Sequence, residues 1–151
     1  MGGASAVAAS SRRPPTLDGA RPPRLAVLLG PPGSRAWRVE MPDRVLRAWA
    51  MLSVAYDELH QAPLTPAAAV RLGRQLQAVT AELERSVSPA LARELRRVTC
   101  AGGTAPCTPR ELRVAYASLL GWAGGLVTGM LDQLEVAGVE ARSRRREPAG
   151  S

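Results

Sequence analysis

The sequence predicts an all-α protein, a three- to four-helix bundle at residues 42–140 with a long C-terminal helix, between two disordered tails. Apolar residues recur every three or four positions through this stretch, as on the buried face of a helix. Proline stands repeatedly at the first position of a new apolar series, where its missing N–H costs nothing. No alternating strand pattern appears there, and the short connections favour antiparallel neighbours.

The two tails differ from the helical part in composition and charge. Residues 1–41 contain six Pro, five Gly and four Ser, with few side chains to bury, so we expect them to be disordered. The net charge of +7 belongs to residues 1–41 (+4) and 141–151 (+3), because residues 42–140 carry ten Arg and ten acidic side chains. Runs of like charge are usually solvated and disordered. We therefore predict a basic disordered tail at 141–151 and no specific nucleic-acid partner.

The composition also excludes much catalytic chemistry. All 20 basic residues are Arg, so the chain has no lysine for a Schiff base or a phosphate-binding loop. His60, Cys100 and Cys107 are too few for a zinc site made by the protein alone. We predict no catalytic residue, cofactor or metal. The apolar run after Ser11-Arg12-Arg13 is too short for an export signal, so we expect the protein to be cytoplasmic. In the cytoplasm both cysteines are expected to be free thiols.

The first helix is predicted to begin at Pro42 and to end before Pro63. Its apolar residues recur at intervals of four and three, which predicts one buried stripe. The members of that stripe are Val45, Trp49, Leu52, Tyr56 and Leu59.

Two further helices are predicted to begin at Thr65-Pro66 and at Ser88-Pro89. Each pair is a capping residue followed by Pro at the first helical position. The predicted stripe of the second helix is Ala69, Leu72, Leu76, Val79, Leu83 and Val87, and that of the third is Leu91, Leu95 and Val98.

The last helix is predicted to begin at the capping box Thr108-Pro109-Arg110-Glu111 and to run to about residue 140. Its stretch Val114–Leu131 has eighteen residues without a charge, which meets the length of a membrane span. A capping box is typical of a helix that begins in water, and the glycines lower the hydropathy of the stretch. We therefore prefer a helix buried in a bundle or between subunits to a membrane span. Each helical glycine costs about 1 kcal/mol relative to Ala, so we expect close packing against a neighbour to offset that cost.

The same helix resembles a known family. The resemblance is carried by the run Leu-x-Gly-Trp-x-x-Gly-Leu-x-x-Gly at 119–129, by Glu111–Ala115 before it, and upstream by 62–64, 82–84 and 88–95. These residues, spread over about 42–138, are similar to the bacterial proteasome activator family.

The resemblance implies a non-enzymatic, cytosolic subunit of a homo-oligomeric ring. Such rings stack on the α-ring of the core proteasome without ATP and open its gate to unfolded or damaged proteins. The predicted packing or inter-subunit seam is Gly121, Trp122, Gly125, Leu126 and Gly129. The family docks through a C-terminal hydrophobic-Tyr-X sequence; this sequence ends at Ser151 with no Tyr after Tyr116, so we assign no docking residue. A ring-forming scaffold or adaptor that does not dock on the proteasome is the alternative.

Overall fold

A computed structural model describes residues 26–28, 37–61, 63–100 and 108–146, with Leu28 and Cys100 described by their backbone alone. Within these ranges the chain forms four helices and a pair of two-residue strands. The strands are β1 (Val27–Leu28) and β2 (Arg38–Val39), and the helices are α1 (Pro42–Gln61), α2 (Pro66–Ser86), α3 (Pro89–Cys100) and α4 (Pro109–Arg146). The all-α class, the long C-terminal helix and the four helix starts are confirmed.

Two helix starts show the predicted capping chemistry in full. The Thr65 hydroxyl accepts a hydrogen bond from the Ala68 N–H at 3.2 Å, and Pro66 follows it. At the start of α4 the Glu111 N–H donates to the Thr108 hydroxyl at 3.2 Å, while the Thr108 N–H donates to the Glu111 carboxylate at 2.9 Å. This reciprocal pair satisfies two donors that would otherwise lack partners at a helix N-terminus.

The four helices share one apolar core, and α4 is its centre. Helix α4 packs most extensively on α1 and also contacts α2, α3 and β1. The fully buried Tyr116 of α4 donates its hydroxyl proton to the Leu72 carbonyl of α2 at 2.8 Å. The Arg113 guanidinium donates to the Leu59 carbonyl in the last turn of α1 at 3.0 Å. These two bonds fix α4 against α2 and the end of α1.

The predicted core stripe is confirmed for most of α2 and α3 but is partly wrong for α1. In α2 every predicted member from Leu72 onward is buried, whereas Ala69 is half-buried; Val98 of α3 is half-buried too. In α1, Trp49 is 38% exposed and Tyr56 is only partly buried. The neighbouring Ala48 and Ala55 are buried in their place, together with the predicted Val45, Leu52 and Leu59. Small alanines let helices approach closely, which moves the larger Trp49 and Tyr56 to the edge of the contact.

The segment predicted as an N-terminal tail contains a residue of the core. Strand β2 pairs antiparallel with β1, and Val39 within it is fully buried. The strand is tied to the α2–α3 junction, because the Ser88 N–H donates to the Arg38 carbonyl at 2.9 Å and the Glu40 N–H donates to the Ser86 carbonyl at 2.8 Å. Residues 1–25 and 29–36 lie outside the described residues, so the predicted disorder stays a prediction there.

Helix α4 extends six residues beyond its predicted end. Residues 141–146, predicted as disordered tail, are helical, and the residues from Leu131 to Arg146 are exposed except for the half-buried Gly138. No Pro or Gly interrupts residues 139–146. Arginines in the last turn favour the helix because they interact with the negative end of its dipole. The last part of α4 therefore projects from the bundle as a helix over about 24 Å.

Candidate interaction site on helix α4

The charge-free stretch of α4 has a buried side and an exposed side. The buried side belongs to the core described above. Between residues 114 and 128 the exposed side carries only uncharged side chains, and we call it the outer face of α4: Val114, Ala117, Ser118, Gly121, Gly125 and Thr128. Val114 is 61% exposed. This uncharged surface can be buried without desolvating a charge.

The glycines of α4 fall into two groups according to what surrounds them. A Cβ added at Gly124 would lie 3.5 Å from Nε1 of Trp49, so Gly124 lies under the indole that α1 presents to α4. A Cβ added at Gly121 or Gly125 would meet nothing within 4 Å among the described residues. Packing inside the described part of the chain therefore accounts for Gly124 but not for Gly121 or Gly125.

A groove runs beside the outer face, between α3 and α4. One wall consists of four of the five predicted seam residues, and the lining is completed by residues of α3, of the last part of α4, and by Trp37. The volume of the groove is about 440 Å³, and its lining residues are Trp37, Leu91, Glu94, Trp122, Gly125, Leu126, Gly129, Asp132 and Gln133. The structure thus brings Trp122, Gly125, Leu126 and Gly129 together, whereas Gly121 belongs to the outer face alone.

Packing within the chain accounts for part of the predicted seam. Leu126 is buried in the core, and Trp122 is half-buried and packed against it. Gly121 and Gly125 are exposed. The five residues therefore divide into two that hold α4 in its own bundle and two that face outward, with the half-buried Gly129 in the groove.

The groove is apolar with acidic side chains in its lining. The Glu94 carboxylate accepts a hydrogen bond from Arg97 at 2.8 Å. Asp132 is exposed and has no hydrogen-bond or ion-pair partner among the described residues. The groove can therefore offer one uncompensated carboxylate beside its apolar surface.

The remaining polar groups singled out from the sequence have local structural partners. His60 is exposed at the end of α1, where its Nδ1 lies 2.8 Å from the Tyr56 carbonyl oxygen and its ring lies 4.3 Å from that of Tyr56. Burial raises the pKa of Tyr116 to about 12. Cys107 and the side chain of Cys100 lie outside the described residues, so their redox state stays a prediction.

Helix α4 is long and apolar enough to pass a membrane-span test by length and composition. A third of its most apolar 18 residues is buried inside the protein. The central helix of a bundle passes the same test, and the buried residues of α4 pack on three neighbouring helices. Packing of this kind agrees with the preferred interpretation of a bundle helix.

Sequence reasoning missed the contributions of Trp37 and Asp132 to the groove. Trp37 lies in the segment predicted as a disordered tail. Trp37 and Val39 are apolar residues two positions apart, a spacing typical of a strand, and this pattern could have indicated an ordered segment. In the sequence, Asp132 stands out only as the charge that ends the apolar stretch. Its place beside Trp37 and Leu91 depends on how α3 and β2 pack on α4, which local sequence does not specify.

Comparison with known proteins gives one consistent result. The model of a family described as bacterial proteasome activator matches residues 32–148. The curated protein of that name from Mycolicibacterium smegmatis is 35% identical over 108 residues, which are 70% of this chain and 61% of that protein. The protein of the same name from Mycobacterium leprae is 37% identical over 109 residues, 70% of this chain and 62% of that protein. The corresponding values for Mycobacterium tuberculosis are 35% over 111 residues, 72% and 63%. The matched segments thus span a little over three fifths of each relative, and the resemblance noted at 42–138 is confirmed.

Proposed function

Because the chain belongs to the bacterial proteasome activator family, we propose that it is a subunit of a homo-oligomeric ring that stimulates a core proteasome in the cytoplasm without ATP. In this proposal the protein catalyses no reaction. It acts by binding, and the opened gate admits unfolded or damaged proteins to the protease.

The outer face of α4 is the observation that carries the ring proposal. It extends from Val114 to Thr128, about 21 Å along the helix, and all its residues are uncharged and exposed. Gly121 and Gly125 lie on it with open space where a Cβ would stand. Small residues of this kind allow the backbone of a second helix to approach closely, and that contact would offset their cost in helix propensity. A second copy of the chain is the neighbour proposed here.

Gate opening by a non-catalytic ring follows from population-shift energetics. A ligand shifts a two-state gate only by the difference between its affinities for the open and closed states. To change the ratio of open to closed gates from 1:99 to 99:1, the binding free energies for the two states must differ by about 5.5 kcal/mol. A ring of identical subunits can divide that requirement among several weak contacts made at once, each with a high effective concentration. We assign no residue of the described part to those contacts.

The variant Gly125→Leu tests the seam. A leucine side chain on the outer face would separate the paired helices, so we expect the oligomer to dissociate and the mass from light scattering to fall to that of a subunit. Gly73→Leu is the matched control, because a Cβ at Gly73 of α2 also meets nothing within 4 Å. Circular dichroism should show intact helices for both variants. An unchanged mass for Gly125→Leu would contradict the seam.

Peptide cleavage by a cognate core proteasome, measured without ATP, tests the activator function itself. We expect the cleavage rate to rise when the chain is added and to return to its basal value with Gly125→Leu. If the ring forms but cleavage does not rise, the chain is instead a ring-forming scaffold or adaptor that does not open the gate.

A further inference from the structure

The groove between α3 and α4 has the composition of a binding surface, and no described residue fills it. The indoles of Trp37 and Trp122 line it together with the apolar side chains of Leu91 and Leu126. Trp37 is 48% exposed, so a large apolar side chain is left in water. An aromatic groove of this kind suits a rigid apolar ligand that has few hydrogen bonds to lose on binding.

The charges of the groove favour a cationic partner. Glu94 is already engaged by Arg97 at 2.8 Å. The Asp132 carboxylate has no partner among the described residues and lies in the lining of the groove. A guanidinium bound beside the indoles would make a charge-assisted hydrogen bond with Asp132. The complementary ligand therefore combines proline-like apolar surface with arginine.

The chain itself carries such a segment twice. Arg13-Pro14-Pro15 recurs eight residues later as Arg21-Pro22-Pro23, and the whole segment 12–24 has four Arg against one Asp. Consecutive prolines favour the extended polyproline helix, which is recognised by aromatic-lined grooves because it is already ordered before binding. The segment lies outside the described residues and ends two residues before the first of them.

The position of β1 would allow this segment to reach the groove. Strand β1 begins at Val27 and contacts α4, and it pairs with β2, which follows Trp37 directly. Pro23 and Pro15 precede Val27 by four and twelve positions in the sequence. Fully extended chains of these lengths reach at most about 14 Å and about 40 Å. A short tether gives the segment an effective concentration in the millimolar range. That concentration favours the chain's own segment over the same sequence supplied from solution.

We propose that the groove between α3 and α4 binds the segment Arg12–Arg24 of the same chain, with prolines against Trp37 and Trp122 and an arginine at Asp132. This assignment requires neither a ring nor a proteasome, although it shares Gly125 with the outer face of α4.

Acrylamide quenching of Trp37 fluorescence tests the proposal in the full chain. Trp49→Phe and Trp122→Phe leave Trp37 as the single indole and keep an aromatic ring in the groove. We expect quenching to rise about twofold when all four prolines at 14, 15, 22 and 23 are replaced by Ser, since the indole loses its cover. A synthetic peptide of residues 11–25 should reverse the increase. None of the four positions belongs to a described helix, so the helix signal in circular dichroism should be unchanged.

A charge-removing variant tests the role of Asp132. Asp132→Asn in the serine-substituted chain should weaken binding of the peptide about fivefold, because an arginine loses its carboxylate partner. Asp57→Asn is the matched control, since Asp57 is an exposed carboxylate of α1 outside the groove and should leave the affinity unchanged.

Three outcomes would overturn the proposal. Equal quenching with and without the prolines would mean that the segment does not cover Trp37. Peptide binding that is insensitive to Asp132→Asn would remove the arginine contact. Quenching that rises on dilution of the chain with its prolines intact would assign the occupant to a second copy and not to the same chain.

Discussion

Helix α4 contains two halves that both carry apolar residues but differ in charge and in their surroundings. In the first half, Pro109 to Met130, the inward side chains are buried against α1, α2 and α3. In the second half, Leu131 to Arg146, apolar residues continue at helical spacing, yet Leu131, Leu134 and Val139 are all more than 50% exposed. The two halves are one continuous helix.

The difference shows what hydrophobic periodicity can and cannot specify. A period near 3.6 residues predicts the helix and the face that would be buried. It does not say whether another element reaches that face. Helix α3 has twelve residues and α4 has thirty-eight, so the second half of α4 extends past its neighbours. The stability of the first half comes from packing, whereas the second half depends on propensity, exposed charges and the dipole.

The largest expected contrast between the halves comes from two leucine truncations. Leu119→Ala, in the first half, should lower the free energy of unfolding by about 3 kcal/mol, because it opens a cavity at a side chain that is 1% exposed. Leu134→Ala, in the second half, should change it by less than about 0.5 kcal/mol, because that side chain is 58% exposed. Urea unfolding followed by circular dichroism measures both. Equal losses would mean that the second half is covered in solution.

The next contrast is a pH dependence that only the packed half provides. Burial raises the pKa of Tyr116 to about 12, so the folded chain keeps a proton that the unfolded chain releases near pH 10. The contribution of Tyr116 to the free energy of unfolding is therefore fully present below pH 10. As the pH rises to 12, the free energy of unfolding falls by about 2 to 3 kcal/mol.

Tyr116→Phe isolates that pH dependence. Below pH 10 the variant should be about 1 kcal/mol less stable than the unaltered chain, because it lacks the hydroxyl that donates to the Leu72 carbonyl at 2.8 Å. Above pH 11 the difference should shrink and reverse, since phenylalanine does not ionise. A constant difference between pH 8 and pH 12 would show that Tyr116 does not titrate with a raised pKa.

The sequence predicts those parts of the fold that depend on local chemistry. The start of α4 follows from four residues, Thr108 to Glu111, whose hydrogen bonds are made among themselves. The start of α2 at Pro66 follows in the same way from Thr65. These features need no knowledge of the rest of the chain.

The features that were missed depend on distant neighbours. Ala48, and not Trp49, lies in the core because α1 approaches α4 closely at that level. Val39 is buried because the α2–α3 junction supplies hydrogen bonds to its strand. The groove also depends on distant neighbours. Trp37 and Asp132 are 95 positions apart in sequence, and only the packing of β2, α3 and α4 brings them into one lining.

The smallest contrast concerns the two ends of α4. Thr108→Ala removes the hydroxyl that accepts the Glu111 N–H, so it should cost about 1 kcal/mol of global stability, because the first turn of α4 adjoins the core residue Leu112. Arg144→Ala removes an exposed contact with Glu140 at 3.5 Å, worth at most about 0.5 kcal/mol and screened by salt.

These two losses differ in kind as well as in size. Residues 139–146, the last turns of α4, are all exposed, so they can open while the bundle stays folded. Arg144→Ala should therefore lower the helix signal slightly at low salt and leave the urea midpoint unchanged, whereas Thr108→Ala should shift the midpoint. A midpoint shift with Arg144→Ala that persists in high salt would mean that the projecting end is coupled to the packed half, and the two halves would then unfold as one unit.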